Sequence, residues 1–266
     1  MPNDAVVLSA RSGRGLDNDL AQLLRQLPAA ALAFSGGVDS AYLLYALKAT
    51  GHHFRAYYVL SEFQPAFELR DVKRMASELD VPLTVIPSNN LGNHKIAENG
   101  PLRCYYCKKQ ILSLISEQAL ADGLSLILDG SNADDQQEER PGMRALTELG
   151  VRSPLREANL SKARIRTLSR EAGLFTWDKA AYACLATRVA QGSTIDKESL
   201  ARIEAAENAL AAIGFKNFRC RKLREAAKLE VTAQDLPLLI QKREQILIAL
   251  SPYFEQVYLD LNLRAE

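Results

Sequence analysis

The segment LAFSGGVDSAYLL, residues 32–44, passes from a short apolar run into a helix-like one through two adjacent glycines. Few folds need that junction. Glycine adopts positive φ and lets a ligand come close to the backbone. A strand–turn–helix built this way aims free N–H groups and the positive helix end at an anion. Ser35 and Ser40 add hydroxyl donors. Asp39 is the odd member, because a carboxylate beside phosphate is repulsive. It makes sense as a ligand for Mg²⁺ bridging to phosphate, or as a helix N-cap. The turn has no lysine where a Walker loop needs one, and its spacing is not G-x-G-x-x-G. A plain glycine turn with an Asp cap is the bland alternative.

The surrounding pattern supports a nucleotide fold. Helical spacing at 17–27, 40–50, 67–80 and 105–122 alternates with strand-like runs at 30–35, 54–60, 82–87 and 124–130. Such alternation predicts a parallel sheet with crossover helices. Ligands in open α/β sheets sit beyond the carboxyl ends of strands, where both the glycine turn and the polar loop SNADDQQEERPG fall. From about residue 176 the pattern changes. An irregular stretch precedes a helix (196–213), strands (216–222 and 227–232), a helix (233–249) and a last strand (253–260). This predicts two domains, 14–176 and a smaller α/β domain at 177–266.

Charge excludes little. The 33 basic and 32 acidic residues nearly cancel, which gives no reason to expect a large nucleic-acid footprint. No apolar run approaches the ~20 residues of a membrane helix. The first fifteen residues lack the pattern of a signal peptide, so a cytoplasmic protein with reduced thiols is expected. Four cysteines, Cys104, Cys107, Cys184 and Cys220, are then candidates for ligand or catalytic roles.

SGGVDS resembles the PP-loop pyrophosphatase signature. That group cleaves ATP between the α and β phosphates, adenylates a carbonyl or carboxylate oxygen, and lets nitrogen or sulfur displace AMP. Further segments narrow the resemblance: RCYYCKK (103–109), LDGSNADD (128–135), the stretch 140–174, ACLATR (183–188) and FRCR (218–221). Together, and in this order from about residue 20 to 231, they resemble the LarE family, ATP-dependent sulfur transferases of nickel-pincer nucleotide cofactor synthesis. The resemblance implies an α/β fold of the adenine nucleotide alpha-hydrolase-like kind. It implies an ATP site at Ala33, Phe34, Ser35, Gly36, Gly37, Asp39 and Ser40, with Ser61 and Gly130 at the ends of the second and fourth strands, and Mg²⁺ on Asp39. The implied substrate is a pyridinium dicarboxylate mononucleotide, whose carboxylates become thiocarboxylates.

The thiols leave two routes open. Cys184 occupies the position of the cysteine that some family members sacrifice as sulfur donor, leaving dehydroalanine. Cys104 and Cys107 are absent from those members. With Cys184 they resemble a trio holding a 4Fe-4S cluster whose fourth iron binds sulfide, so that a sulfide or other sulfur donor would be a partner. C-x-x-C by itself is equally a redox pair, half a zinc site or two core residues. Cys220, on a strand, reads as a packing cysteine.

Arg219 and Arg221 alternate along a strand and so share a face. Two guanidiniums can fork a phosphate. In the family the matching arginines, with a glutamate that Glu230 matches, face the substrate phosphate or pyrophosphate. Arg188, also expected among the substrate-phosphate residues, lies near Cys184, where a cation lowers a thiol's pKa. Asp134 and Asp135 divide evenly between Mg²⁺ or ribose contact and a solvated loop. His52, His53 and His94 read as surface or loop residues. The sequence departs from the family at Thr187, at VAQG (189–192) and at KLREAAKLE (222–230). The family also implies a homo-oligomer. Rival functions are a tRNA thiolase, an amidating ligase and a silent nucleotide sensor.

Overall fold

The computed structural model describes residues 13–135 and 141–264. The expectation about the extreme N-terminus, and residues 136–140 of the polar loop, lie outside them. The chain falls into two compact units. The first comprises the chain up to Leu60, Ala66–Ser88 and Cys104–Lys179; the second comprises Ser61–Pro65, Asn89–Arg103 and the chain from Ala180 onward.

The first unit is a four-stranded parallel sheet with helices. Its elements run α1 (Asn18–Arg25), β1 (Ala30–Ala33), α2 (Val38–Ala49), β2 (Phe54–Leu60), α3 (Ala66–Glu78), β3 (Leu83–Pro87), α5 (Arg103–Ala121), β4 (Leu126–Leu128), α6 (Pro141–Glu148), α7 (Pro154–Glu157) and α8 (Lys162–Glu171), with α4 (His94–Ala97) in the second unit. Strand order is β3-β2-β1-β4, every pair parallel. The chain moves outward from β1 to β3 and then returns to the other side of β1. The order therefore reverses between β1 and β4, which is where a crevice opens beyond the strand ends in such sheets.

Local chemistry explains the elements. Asp17 caps α1, its carboxylate accepting from the N–H groups of Asp19 and Leu20 at 3.1 and 3.2 Å. Helix α2 has almost no polar face. Every residue from Val38 to Leu47 is buried except Asp39. A helix apolar all round must be covered all round, and Leu20, Leu24, Leu155, Ile165 and Leu168 belong to the same core cluster. A second cluster joins Ala31, Tyr57 and Ile127 of the strands to Leu112, Ile115, Met143 and Leu146. Burying each leucine, isoleucine or methionine among them contributes about 1.5–3 kcal/mol.

The second unit knits together distant pieces of chain. Leu185 N–H donates to the Phe63 carbonyl at 2.9 Å, Gly192 N–H to Asn99 at 2.9 Å, and Ile195 N–H to Ala97 at 2.8 Å. A 3₁₀ turn (Leu185–Arg188) leads to α9 (Lys197–Ile213), β5 (Phe218–Leu223), β6 (Ala226–Val231), α10 (Leu236–Gln241), α11 (Arg243–Leu250) and β7 (Gln256–Leu259). The sheet order is β5-β6-β7, the first pair antiparallel and the second parallel. The single helix expected over 233–249 is two helices, broken at Lys242, whose backbone (φ −98°, ψ 12°) leaves the helical range. The strand expected over 124–130 pairs only across Leu126–Leu128. No helix among the described residues is long and apolar enough to cross a membrane.

Candidate functional site: a glycine turn and an arginine cluster

The glycine turn joins β1 to α2. Gly36 has φ +74°, the left-handed region that suits glycine, and a Cβ there would lie 2.6 Å from Val72 Cγ2. Gly37 is the N-cap and makes no side-chain cap bond. Asp39 is therefore not the cap that the sequence left open; it is the second residue of α2, within its first turn. Ser35 and Ser40 hydroxyls lie 3.0 Å apart, and Ser40 Oγ also donates to the Gly37 carbonyl at 3.2 Å. Gly130, just beyond β4, packs directly on the helix start: a Cβ there would meet Ser40 N at 2.8 Å. The two loops at the reversal point thus touch, and Ala33 and Phe34 deliver the chain into the turn.

Two lysines unforeseen from the sequence reach this turn. Lys162, first residue of α8, pairs through Nζ with Asp39 Oδ2. Lys179 Nζ donates to the Gly36 carbonyl at 3.2 Å and to Asp71 Oδ2 at 2.7 Å. Asp39 Oδ1 is buried with no hydrogen-bond partner among the described residues. Burial pushes the Asp39 carboxyl above its ordinary value, against the lowering effect of Lys162; Asp135 also raises it. A half-satisfied carboxylate at a helix start, flanked by an ammonium, suits a divalent cation and the phosphates bound to it.

The loop after β4 holds itself together. Asp135 Oδ2 accepts from Asn132 N–H at 3.1 Å, and Asp134 Oδ2 accepts from Lys162 N–H at 2.7 Å. Asp134 is thereby tied to the start of α8 and positions Lys162. Asp129, buried, accepts from the hydroxyls of Ser131 and Ser153 at 2.6 Å each and lies 3.6 Å from Lys108 Nζ. Ser61 belongs to the second unit, where its hydroxyl donates to Gln64 Oε1 at 2.7 Å and accepts from Asn90 Nδ2 at 2.9 Å. Of the histidines, His52 is partly buried, and burial holds its imidazole below the ordinary value.

Cys104 is exposed and Cys107 half-buried, one helical turn apart on α5, which puts them on one face. Cys184 is half-buried and immediately precedes the 3₁₀ turn. Cys220 is fully buried and its thiol is pushed up to about 12, chiefly by burial. It is a core residue, as its strand position suggested. Among the described residues no group of three or more His, Cys, Asp or Glu side chains is placed to hold a metal ion.

The second unit gathers the predicted arginines. Register pairs Arg219 with Glu230 and Arg221 with Lys228, so these four share a face of the β5–β6 ribbon. Arg221 pairs with the Glu230 carboxylate and also donates to the Thr187 carbonyl. Arg188 is 1% exposed and is engaged by Glu207, with Nε to Oε1 at 2.9 Å, and by the Ala183 and Cys184 carbonyls. Glu207 also accepts from the Tyr182 hydroxyl at 2.6 Å and from Cys220 N–H at 2.9 Å. Arg264, from the chain end, donates its N–H to the Val231 carbonyl at 2.9 Å and reaches Asn217 Oδ1 at 3.1 Å. Arg219 and Arg264 have no carboxylate partner among the described residues. Burial, then the neighbouring guanidiniums, hold Arg219 below its ordinary value. Clustered guanidiniums that repel one another, with Glu230 as the nearby acid, suit an anion.

A parallel sheet whose glycine turn and facing loop meet at the reversal of strand order defines a Rossmann-type α/β core of the PP-loop-like kind. No protein-family model matches the chain. It is 33% identical over 214 residues to the pyridinium-3,5-bisthiocarboxylic acid mononucleotide synthase of Lactiplantibacillus plantarum, covering 80% of this chain and 78% of that protein. It is 33% identical over 224 residues to an uncharacterized protein of Synechocystis sp., covering 84% of each, and 28% identical over 233 residues to an uncharacterized protein of Methanocaldococcus jannaschii, covering 87% of this chain and 89% of that one. The chain belongs to the LarE family, that of the Lactiplantibacillus synthase.

Proposed function

We propose that this protein is an ATP-dependent sulfur transferase acting on pyridinium-3,5-biscarboxylic acid mononucleotide. The observation that carries the reading is the glycine turn with Asp39, Lys162 and Lys179 around it, in a chain one-third identical to a synthase of the bisthiocarboxylic product. A substrate carboxylate oxygen attacks the α-phosphorus of ATP, the bond to the β-phosphate oxygen breaks, and pyrophosphate leaves. The start of α2 and the turn amides stabilise that leaving polyanion. Mg²⁺ would be held by Asp39, whose buried Oδ1 lacks a partner, and would neutralise phosphate charge.

Sulfur then displaces AMP. In one route the Cys184 thiolate attacks the acyl carbon and the C–O bond to AMP breaks. Loss of the Cys184 Cα proton then cleaves its Cβ–S bond, releasing thiocarboxylate and leaving dehydroalanine. In the other route an external sulfide attacks the acyl carbon directly, and the protein is regenerated. The residues for a 4Fe-4S cluster would be Cys104, Cys107 and Cys184, and such a cluster would supply sulfide from its open iron. Arg219, Arg221 and Glu230 would hold the nucleotide's phosphate, and Ser61 and Gly130 would border the ATP site. The reading has a small-molecule substrate, a sulfur donor, no nucleic-acid or membrane partner, and a cytoplasmic homo-oligomer.

Incubating the anaerobically purified protein with Mg²⁺, ATP and the biscarboxylic mononucleotide tests this. Release of AMP and pyrophosphate with thiocarboxylate in the mass spectrum supports it; active protein that forms no AMP sinks it. Bound iron with intact Cys184 selects the sulfide route. Iron-free protein that loses the mass of hydrogen sulfide at Cys184 selects the sacrificial one.

A further inference from the structure

Lys179 reaches the glycine turn from 143 positions along the chain. We infer that Lys179 is a positioning residue: by holding the Gly36 carbonyl it orients the Gly36–Gly37 peptide so that the Gly37 N–H faces the diphosphate. The inference rests on the nucleotide reading of the glycine turn.

No peptide bond among the described residues is cis. In a trans peptide the carbonyl and the following N–H point in opposite directions. Whatever anchors the Gly36 oxygen therefore aims the Gly37 N–H the other way. Gly36, at φ +74°, lies in a region where glycine alone is unstrained, and adjacent glycines are the residues freest to flip their shared peptide. Left alone, that peptide would sample orientations that point a carbonyl at the anion. Such a carbonyl would repel it.

Lys179 is built as an anchor. Its Nζ donates to the Gly36 carbonyl at 3.2 Å and to Asp71 Oδ2 at 2.7 Å, and lies 5.5 Å from the centre of the Phe67 ring. Its side chain is 18% exposed. Its own backbone is held at both ends, N–H to the Thr176 carbonyl at 3.1 Å and carbonyl to Arg166 Nη2 at 2.8 Å. Asp71 and Phe67 come from α3, and Lys179 follows α8, so the turn is braced from two elements. No described residue accepts from the Gly37 N–H, which leaves it for a ligand.

The test uses the full chain. Pyrophosphate with Mg²⁺, and separately AMP, are titrated calorimetrically into wild type, Lys179→Met and Lys179→Arg, and ¹⁵N spectra of the ligand-free proteins report the Gly36 and Gly37 amides. The expected result is about tenfold weaker pyrophosphate binding in Lys179→Met, the size of one charge-assisted hydrogen bond. AMP affinity stays unchanged, the glycine amides shift before any ligand is added, and Lys179→Arg restores binding. Unchanged pyrophosphate affinity overturns the inference. So does a parallel loss of AMP binding, which marks general damage, or weakened binding with unmoved glycine amides, which marks direct contact with the phosphate. Wild type that binds neither ligand overturns the nucleotide reading itself, and the inference with it.

Discussion

The ammonium of Lys162 and the carboxylate of Asp39 form an ion pair across 123 positions of sequence, one at the first residue of α8 and the other inside the first turn of α2. The pair leaves the second oxygen of Asp39 buried and unpartnered. In the proposed reaction a metal-bound triphosphate would take both groups, the metal on the carboxylate and the phosphate on the ammonium. Asp39→Asn keeps the shape and removes the charge, and AMP formation should fall about a hundredfold, the scale of one lost electrostatic contributor. Lys162→Met should chiefly raise KM for ATP, about tenfold. Steady-state AMP release at varied ATP separates the two; equal kcat loss in both would contradict this division of roles.

Gly36→Ala meets two obstacles. The left-handed backbone strains any Cβ, and the added methyl would sit 2.6 Å from Val72 Cγ2. The variant should lose about 1–3 kcal/mol in urea denaturation. Adding Val72→Ala removes the collision but not the strain. The double variant should therefore be less damaged than the sum of the two single losses predicts. Strict additivity would show that the contact does not matter.

Arg188 and Glu207 form a buried pair that also fastens Tyr182, Cys220 N–H and the carbonyls around Cys184. Glu207→Gln strands the guanidinium in the interior and should cost about 3–5 kcal/mol. Arg188→Met with Glu207→Gln should be more stable than Glu207→Gln alone, because no unpaired charge is left buried. Chemical denaturation of the three variants reads this directly.

Cys220 should resist alkylation in the folded protein, while exposed Cys104 reacts; peptide mapping after brief iodoacetamide treatment distinguishes them. The Cys220 thiol is pushed up from 9.0 to about 12. Unfolded chain loses that proton first, so above pH 9 the folded state binds more protons than the unfolded one. The contribution of Cys220 to stability is whole below that value and declines as pH rises toward 12. Cys220→Ala should flatten this part of the alkaline limb of the melting curve; an unchanged slope would contradict the shift.

The glycine turn was legible because its parts are local. A four-residue buried strand, two glycines and an apolar helix sit side by side, and each announces itself by composition and spacing. The alternation of strands and helices likewise implied a parallel sheet, and Arg219 and Arg221 shared a face by the two-residue period alone. The break at Lys242 escaped notice because the apolar pattern runs on through it, and only packing in the second unit decides where the helix stops.

The sequence by itself determined where the glycine turn lies, which strand carries the paired arginines, and that Cys220 belongs to a core. It could not say what completes either cluster. Lys162 and Lys179 are ordinary lysines in charged stretches, and they acquire meaning only because α8 and its following segment pack back on α2, 123 and 143 positions away from the groups they hold. Glu207 is one of several acids on α9 until folding buries it against Arg188. Local conformation depends on neighbours in the chain, which a sequence displays. Charge pairing depends on neighbours in space, and only the tertiary structure selects those.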